Sequence, residues 1–416
     1  MNSVRCSKIN IEGTSILGEF TVEGDDEWVS LFTKPYMFQI DYDIALNDLP
    51  KSIAVIPFVA NVLPMVWLKN AVLYVDELDK TFMECLDEVR KGYGKMYPDL
   101  VFSGNIEVKK VIENQSSGDG SAVLFSGGVD AFNTLFSHIE EKPSLITLWG
   151  ADIKRQNTSG WNNVKHSIVE TAHTYDLSVQ FIKTNFREYL SEAHLTNFVQ
   201  NFNPHLEWWH DFQHGIAIIC HSAPIAHLNG ISKVYIASSF TKGMKNYTCA
   251  SDPLIDDHVR FGNTKVIHDG YEYMRQDKIH NICKYHEKSG IDVPLRVCWL
   301  SDQGNNCCHC EKCYRTILGI LAEGNDPINY GFADYPAFKK RMFAEIRWKY
   351  RINNNYNARY EQIQNRLRET YTKNDCPREL KWFYKVRMKN KDTTDSTVFA
   401  KMENLIYRLI NKVFFR

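Results

Sequence analysis

The chain has 416 residues, 44% of them hydrophobic and 24% charged, with a formal net charge of −1. This balance belongs to a folded globular chain of two or three domains; it excludes a disordered or membrane-embedded protein and gives no global reason to bind nucleic acid. Eleven cysteines, with no apolar leader over residues 1–8, point to reduced thiols or metal ligands in a cytoplasmic protein rather than to a disulfide framework.

Residues 1–113 carry short apolar runs at 15–20, 53–59 and 72–75 and one helical pattern at 81–93, an α+β region of unassigned role. The most apolar stretch, 52–68, contains Pro57, Asn61 and Pro64. It falls short of the roughly 20 apolar residues of a spanning helix, so no membrane span is expected, and its breakers predict core strands interrupted by turns. The polar run 114–121 reads as a loop and a domain boundary. Beyond it, strands predicted at 122–125, 145–149, 178–183, 233–237 and 265–268 alternate with helical patterns at 130–139, 161–175 and 212–228. That alternation predicts an α/β fold with a doubly wound, mainly parallel five-stranded sheet, which takes ligands beyond the carboxyl ends of its strands. The expected division is a nucleotide-binding domain over 121–295, a zinc segment over 296–325 and a helical tail over 338–416.

Residues 122–130, Ala-Val-Leu-Phe-Ser-Gly-Gly-Val-Asp, run from a buried-type strand straight into a helix. Gly127 and Gly128 permit a tight turn and close approach of a ligand to the backbone. Amides of such a turn and of the first helical turn, including Val129, converge on one spot and favour an anion. Ser126 adds a hydroxyl donor. Asp130 at the helix start serves either as a cap or as a ligand of Mg²⁺ beside a phosphate. The GxxxxGK[ST] pattern is absent, which excludes a P-loop NTPase. An ordinary strand–helix turn would use the same residues.

Residues 298–313 hold five cysteines and one histidine. Cys298, Cys307, Cys310 and Cys313 give a C-x8-C-x2-C-x2-C spacing suited to tetrahedral Zn²⁺, and four thiolates leave no open position, so the zinc would be structural. Cys308 and His309 compete for one place, but only Cys307 preserves both two-residue gaps. Elsewhere, His210 and His214 stand at i, i+4 around Asp211, a spacing like HExxH. The zincin base is Glu, however, and no third ligand is evident. Residues 338–416 hold 20 Lys and Arg against 8 Asp and Glu, leaving −13 for the remainder. There Arg347-Trp-Lys-Tyr-Arg351 and Lys381-Trp-Phe-Tyr-Lys385 interleave bases with aromatics, which suits RNA or single-stranded DNA, and equally a solvated helix or a protein partner.

Taken together, the glycine turn and the cysteine cluster resemble one family. Ser126-Gly-Gly-Val-Asp130 is similar to the SGGxDS signature of PP-loop ATP pyrophosphatases, whose fold is adenine nucleotide α-hydrolase-like. The cysteine spacing is similar to that of 7-cyano-7-deazaguanine synthase, a ligase-type member of the queuosine pathway. The resemblance covers roughly residues 121–324. It implies ATP, Mg²⁺ and Zn²⁺ as cofactors, Ser126, Gly127, Gly128, Val129 and Asp130 at the polyphosphate, and Arg275 or Lys278 neutralising leaving-group charge. Arg275-Gln-Asp-Lys278 resembles the family's late helix start, and Ser251–Asp257 its substrate-facing loop. Departures are Ala131 for the family's final Ser, Cys308 for a Gly, and His210–Gly215 for an arginine-bearing loop. The implied reaction is ATP-dependent adenylation of a carboxylate or carbonyl, then amide or nitrile formation on a deazaguanine, another small molecule or a protein acceptor. Longer relatives of this type belong to defence or surface-glycan contexts. Two alternatives stay open: an ATP-dependent tRNA-modifying PP-loop enzyme, and a nucleotide-binding scaffold without turnover.

Overall fold

The computed structural model describes residues 1–243, 248–298, 300–350, 354–386, 388 and 409. It divides into two compact units, the first comprising Met1–Ser126 with Asp130–Glu272, the second Gly127–Val129 with Tyr273–Arg416.

The first unit is built on a single sheet of eleven strands: β1 (Ser3–Glu12), β2 (Ser15–Glu23), β3 (Met37–Tyr42), β4 (Val72–Asp79), β5 (Asn105–Ile112), β6 (Gly120–Leu124), β7 (Ser144–Trp149), β8 (Val179–Thr184), β9 (Ile231–Ala237), β10 (Arg260–Phe261) and β11 (Thr264–Asp269). Their spatial order is β10-β11-β9-β6-β7-β8-β3-β2-β1-β4-β5. Parallel pairing joins β11, β9, β6, β7 and β8, and again β1, β4 and β5. Antiparallel pairs join β10 to β11, β1 to β2, β2 to β3 and β3 to β8. The result is a mixed, mostly parallel α/β sheet of eleven strands, where the sequence predicts five.

The five predicted strands all form and lie side by side. What the sequence reading omits is that β3 pairs with β8 through Ile40↔Thr184, Asp41↔Lys183 and Tyr42↔Ile182, which extends the same sheet through residues 1–113. Accordingly, 114–121 is no boundary between units. Asn114 is buried there and donates to Asp79 Oδ1 at 2.8 Å and to Ser52 Oγ at 2.9 Å.

Residues 52–68 are helical, Lys51–Ala54 followed by Ile56–Leu68, against the expectation of strands. Every residue from Ile56 to Trp67 is buried, and a helix buried all round has no amphipathic period to betray it. Pro57 sits in the first turn, where its missing N–H costs nothing. Asn61 is satisfied at the centre: its Nδ2 donates to Phe186 O at 2.8 Å and Tyr189 Oη at 2.7 Å, and its Oδ1 accepts from Gln213 Nε2 at 2.5 Å. Around it, Phe38 and Phe58 stack at 4.7 Å. Gly18 makes room for Phe38, since a Cβ there would lie 1.8 Å from the ring.

The predicted helix over 212–228 is three pieces: a π-helical turn Trp209–Gln213, then His214–Cys220 and Ala223–Leu228. The final piece has Pro224 in its first turn. In the second unit, helices Arg275–Ser289, Glu311–Ala322 and Asn354–Thr370 carry the fold. The first begins at Arg275, where the resemblance expects it. Among the described residues no helix is long and apolar enough to cross a membrane.

Replacing Asn61 with Leu leaves Tyr189 Oη short of a partner and Gln213 Nε2 with only its 3.3 Å bond to Phe186 O, and is expected to cost about 1–3 kcal/mol of stability. Urea unfolding followed by far-ultraviolet circular dichroism measures it.

Candidate functional site

In the second unit the Sγ atoms of Cys298, Cys307, Cys310 and Cys313 all lie within 4.8 Å of one another. Two of the separations are 3.9 Å (Cys298 to Cys310) and 4.0 Å (Cys307 to Cys313). A tetrahedron with Zn–S bonds of about 2.3 Å has edges of about 3.8 Å, so the donor set fits Zn²⁺. Cys310 caps the helix Glu311–Ala322, and its sulfur accepts the Cys313 amide at 3.4 Å. Cys308 adopts φ +56°, which tightens the chain between Cys307 and Cys310. Its own thiol is excluded from the cluster and pushed up to about 11 by burial. His309 is exposed and folds back on the Cys307 carbonyl. Hydrogen bonding with Cys310 holds Cys298 far below the usual thiol range, while the same sharing raises Cys310 to about 12 and lifts Cys313 as well. Four thiols that already contend for protons at one point are a set that a dication would replace them in.

The approach to this cluster is clamped by Asn306. Its Oδ1 accepts from the amides of Val297 (2.9 Å) and Cys298 (3.3 Å), and its Nδ2 donates to the carbonyls of Leu295 (2.7 Å) and Gly331 (2.9 Å). One residue earlier, the Arg296 amide donates to the Gly127 carbonyl at 2.7 Å. Gly127–Val129 therefore belong to the same unit as the cysteine cluster.

Gly127 has φ +75° and is buried, a conformation that costs an L side chain about 1–2 kcal/mol. The turn is launched from Phe125, whose amide bonds Ile146 O at 2.8 Å and whose carbonyl accepts from Thr147 Oγ1 at 2.7 Å. Ser126 is exposed, Gly128 partly so, and Val129 is buried as the first residue of the helix Val129–Ser137. Asp130 lies inside the first helical turn rather than at its cap. Ala131 is buried. Arg275 donates to Thr316 Oγ1 at 3.3 Å, and Lys278, one turn on, is almost wholly buried in the second unit.

The first unit holds polar clusters that sequence reasoning missed. Asp256 is fully buried; its Oδ2 accepts from Ser251 Oγ at 2.7 Å and pairs with His268 Nδ1 at 2.8 Å. Burial pushes the Asp256 carboxyl up, and the His268 and Ser251 contacts oppose it. The family resemblance points to the Ser251–Asp257 loop, whereas His268 is visible in the sequence only as part of a strand. His214 faces Cys249 at 3.8 Å, and burial lowers the imidazole to about 4. Burial likewise raises the Cys249 thiol to about 12, so this is a neutral pair rather than a thiolate–imidazolium one. Asp211 is committed to the Glu207 amide, Thr248 and Tyr97. With no third ligand beside His210 and His214 among the described residues, the HExxH-like spacing has no metalloprotease geometry.

A further network closes the helix Val129–Ser137 onto β11. Asp269 accepts from Thr134 Oγ1 at 2.7 Å and contacts His138 Nε2 at 3.0 Å, while His138 stacks on Tyr235 at 3.8 Å. The Asp269 contact raises His138 above its ordinary value. Glu141 stays below its ordinary value against the effect of burial, through bonds from Tyr235 and Lys233.

In the described part of the basic tail, Lys339 pairs with Glu379, Arg341 with Glu345, and Arg366 with Asp277 and Glu323. Arg351 and most residues beyond 386 lie outside the described residues. Comparison with protein-family models, with curated proteins and with solved structures finds no match for this chain.

Two outcomes follow from this geometry. Cys313→Ser, or a strong chelator, is expected to remove bound zinc and lower the thermal midpoint, because binding a structural metal is part of the folding free energy. Cys308→Ser and His309→Ala keep the metal, as atomic absorption on purified protein would record. For His138, a raised folded pKa means its stabilisation is complete below about pH 6.5 and is lost as pH climbs through the folded value. The stability gap between wild type and His138→Gln in urea melts is therefore expected to be widest in acid and to narrow in alkali.

Proposed function

We propose that the chain is an ATP-dependent adenylating ligase of the PP-loop type, which activates a carboxylate with release of pyrophosphate and then of AMP. The observation that carries this reading is the glycine turn at residues 126–130. Gly127 holds a positive φ and turns its carbonyl into the Arg296 amide. In a trans peptide, that orientation aims the Gly128 N–H to the opposite side. The turn issues from β6, whose two sheet neighbours are β7 and β9. The chain order reverses at that strand, as in a doubly wound sheet, and ligands of such sheets lodge at this kind of switch point.

On this reading the amides of Gly128 and Val129 and the Ser126 hydroxyl orient the polyphosphate. Asp130 would share Mg²⁺ with it, and the ion's charge would stabilise the leaving pyrophosphate. A substrate carboxylate oxygen attacks the α-phosphorus in line as the bond to the bridging oxygen breaks. An amine then attacks the acyl carbon of the adenylate, a proton leaves the nitrogen, and AMP departs. Arg275 and Lys278 are the candidate cations for the charge that builds on the leaving group. Positioning and charge stabilisation supply the rate in such transfers. The four cysteines, with Zn²⁺, hold the segment that braces the turn and take no part in the chemistry. A 7-deazaguanine carboxylate is the acceptor that the family resemblance suggests.

The second reading, a nucleotide-binding scaffold, rests on Ala131, which is buried and supplies no hydroxyl at the turn. Pyrophosphate release from ATP, assayed across a panel of carboxylates with and without ammonia, separates the two. The ligase reading expects carboxylate-dependent release that falls about 100-fold or more in Asp130→Ala. ATP binding without release on any carboxylate supports the scaffold instead.

A further inference from the structure

The helix Val129–Ser137 is fastened at its far end by one histidine whose two ring nitrogens both meet carboxylates. His138 Nε2 lies 3.0 Å from Asp269 Oδ1, and Nδ1 lies 3.2 Å from Glu141 Oε1. A neutral imidazole has one N–H and one lone pair, whereas the imidazolium has two N–H groups. Only the charged ring can donate to both partners. Once neutral, it keeps one bond and turns a lone pair on the other carboxylate.

The surroundings are matched to the charged form. On β11, Asp269 also accepts from Thr134 Oγ1 at 2.7 Å, so it grips the same helix one turn earlier. On β9, Tyr235 stacks on the ring and its hydroxyl donates to Glu141 Oε1 at 2.9 Å, while Lys233 donates to Glu141 Oε2 at 3.1 Å. Burial, then the Glu141 contact, pushes the Tyr235 phenol up, so it stays a neutral donor. Of the other charges at this end, Glu140 is exposed and Lys142 pairs with Asp176 at 3.1 Å. Asp269, Glu141, Lys233 and a charged His138 sum to no net charge; loss of the proton leaves one negative charge in excess.

The His138 amide closes the last turn of the helix on Thr134 O and Leu135 O, both at 3.2 Å. A cation is favoured there by the negative end of the helix dipole. His138 has 22% and Asp269 18% of the side chain exposed, so water reaches the ring while most of the pair is shielded from salt. Asp130 stands in the first turn, at the opposite end of this helix.

We propose that His138 is a proton-operated clamp on the helix that bears Asp130. Charged, it fixes the helix to β9 and β11; neutral, it releases one carboxylate and loosens the helix. The device goes beyond the ligase reading and requires no ATP cleavage. Its direction follows from the Asp269 hydrogen bond, which raises His138 against the opposing effect of burial. The clamp is complete below about pH 6.5 and is lost as pH rises through the folded value.

The test is hydrogen–deuterium exchange of the full-length, zinc-loaded protein at about pH 6 and about pH 9, corrected for intrinsic exchange rates. Protection of peptides covering 129–142 is expected to fall about fivefold or more from the lower pH to the higher. The helix Thr158–Tyr175 serves as the internal control and keeps its protection. His138→Gln, whose amide does not titrate, is expected to show the weaker protection at both pH values. Asp269→Asn removes one of the two carboxylates and is expected to shrink the pH dependence. It keeps the test decisive if circular dichroism shows that His138→Gln fails to fold. Equal wild-type protection at both pH values overturns the proposal. So does a fall of the same size in either variant. Failure of pyrophosphate release sinks the ligase reading and leaves the clamp standing.

Discussion

One backbone hydrogen bond, from the Arg296 amide to the Gly127 carbonyl at 2.7 Å, ties the glycine turn to the segment that leads into the four-cysteine cluster. Its donor belongs to a short run that Asn306 grips from both sides, through the amides of Val297 and Cys298 and the carbonyl of Leu295. Cys298 ends that run as one of the four clustered thiols. A dication held by the four thiols would fix Cys298, which lies two residues from the Arg296 amide that bonds Gly127. A metal held by four thiolates would have no open coordination position, so its role there would be structural.

The sheet of the first unit has its own critical seam. β3 stands between two hairpin-like antiparallel strands and five parallel ones, pairing with β2 on one side and β8 on the other. The seam is reinforced by side chains. Tyr42 Oη donates to His221 O at 3.1 Å, Thr184 Oγ1 meets His221 Nε2 at 2.9 Å, and Asp43 accepts the Phe181 amide at 2.9 Å. Burial lowers His221 to about 4, so the ring is neutral and serves as a hydrogen-bonding strut. Residues 1–113 are consequently part of the sheet that carries the glycine turn. An apolar helix threaded through this half, Ile56–Leu68, supplies the core against which the aromatic residues pack.

Much of the architecture was readable because it is written at short range. A two-residue gap between cysteines constrains which thiols can reach one ion, so the ligand set could be chosen over Cys308 and His309 from spacing alone. Alternation of strand and helix patterns located β6 to β9 and β11 within a few residues. Two adjacent glycines after a buried strand marked the turn, and the positive φ of Gly127 is the conformation such a residue permits. The helix start at Arg275 came from resemblance rather than from periodicity. The helix over 56–68 was illegible for the opposite reason: with every side chain buried, its sequence carries no polar face, and two prolines and an asparagine imitate turns.

The sequence by itself determined the four-cysteine cluster that could hold a metal, the glycine turn and the strand–helix repeat, because each is set by residues close together in the chain. Only the tertiary structure decided that β3 meets β8 across about 140 residues, that His268 finds Asp256 and Ser251, and that His138 meets Asp269 and Tyr235. Those arrangements depend on strand pairing and helix packing between distant segments. No local pattern records such partners, since the same residues in another packing would meet different ones.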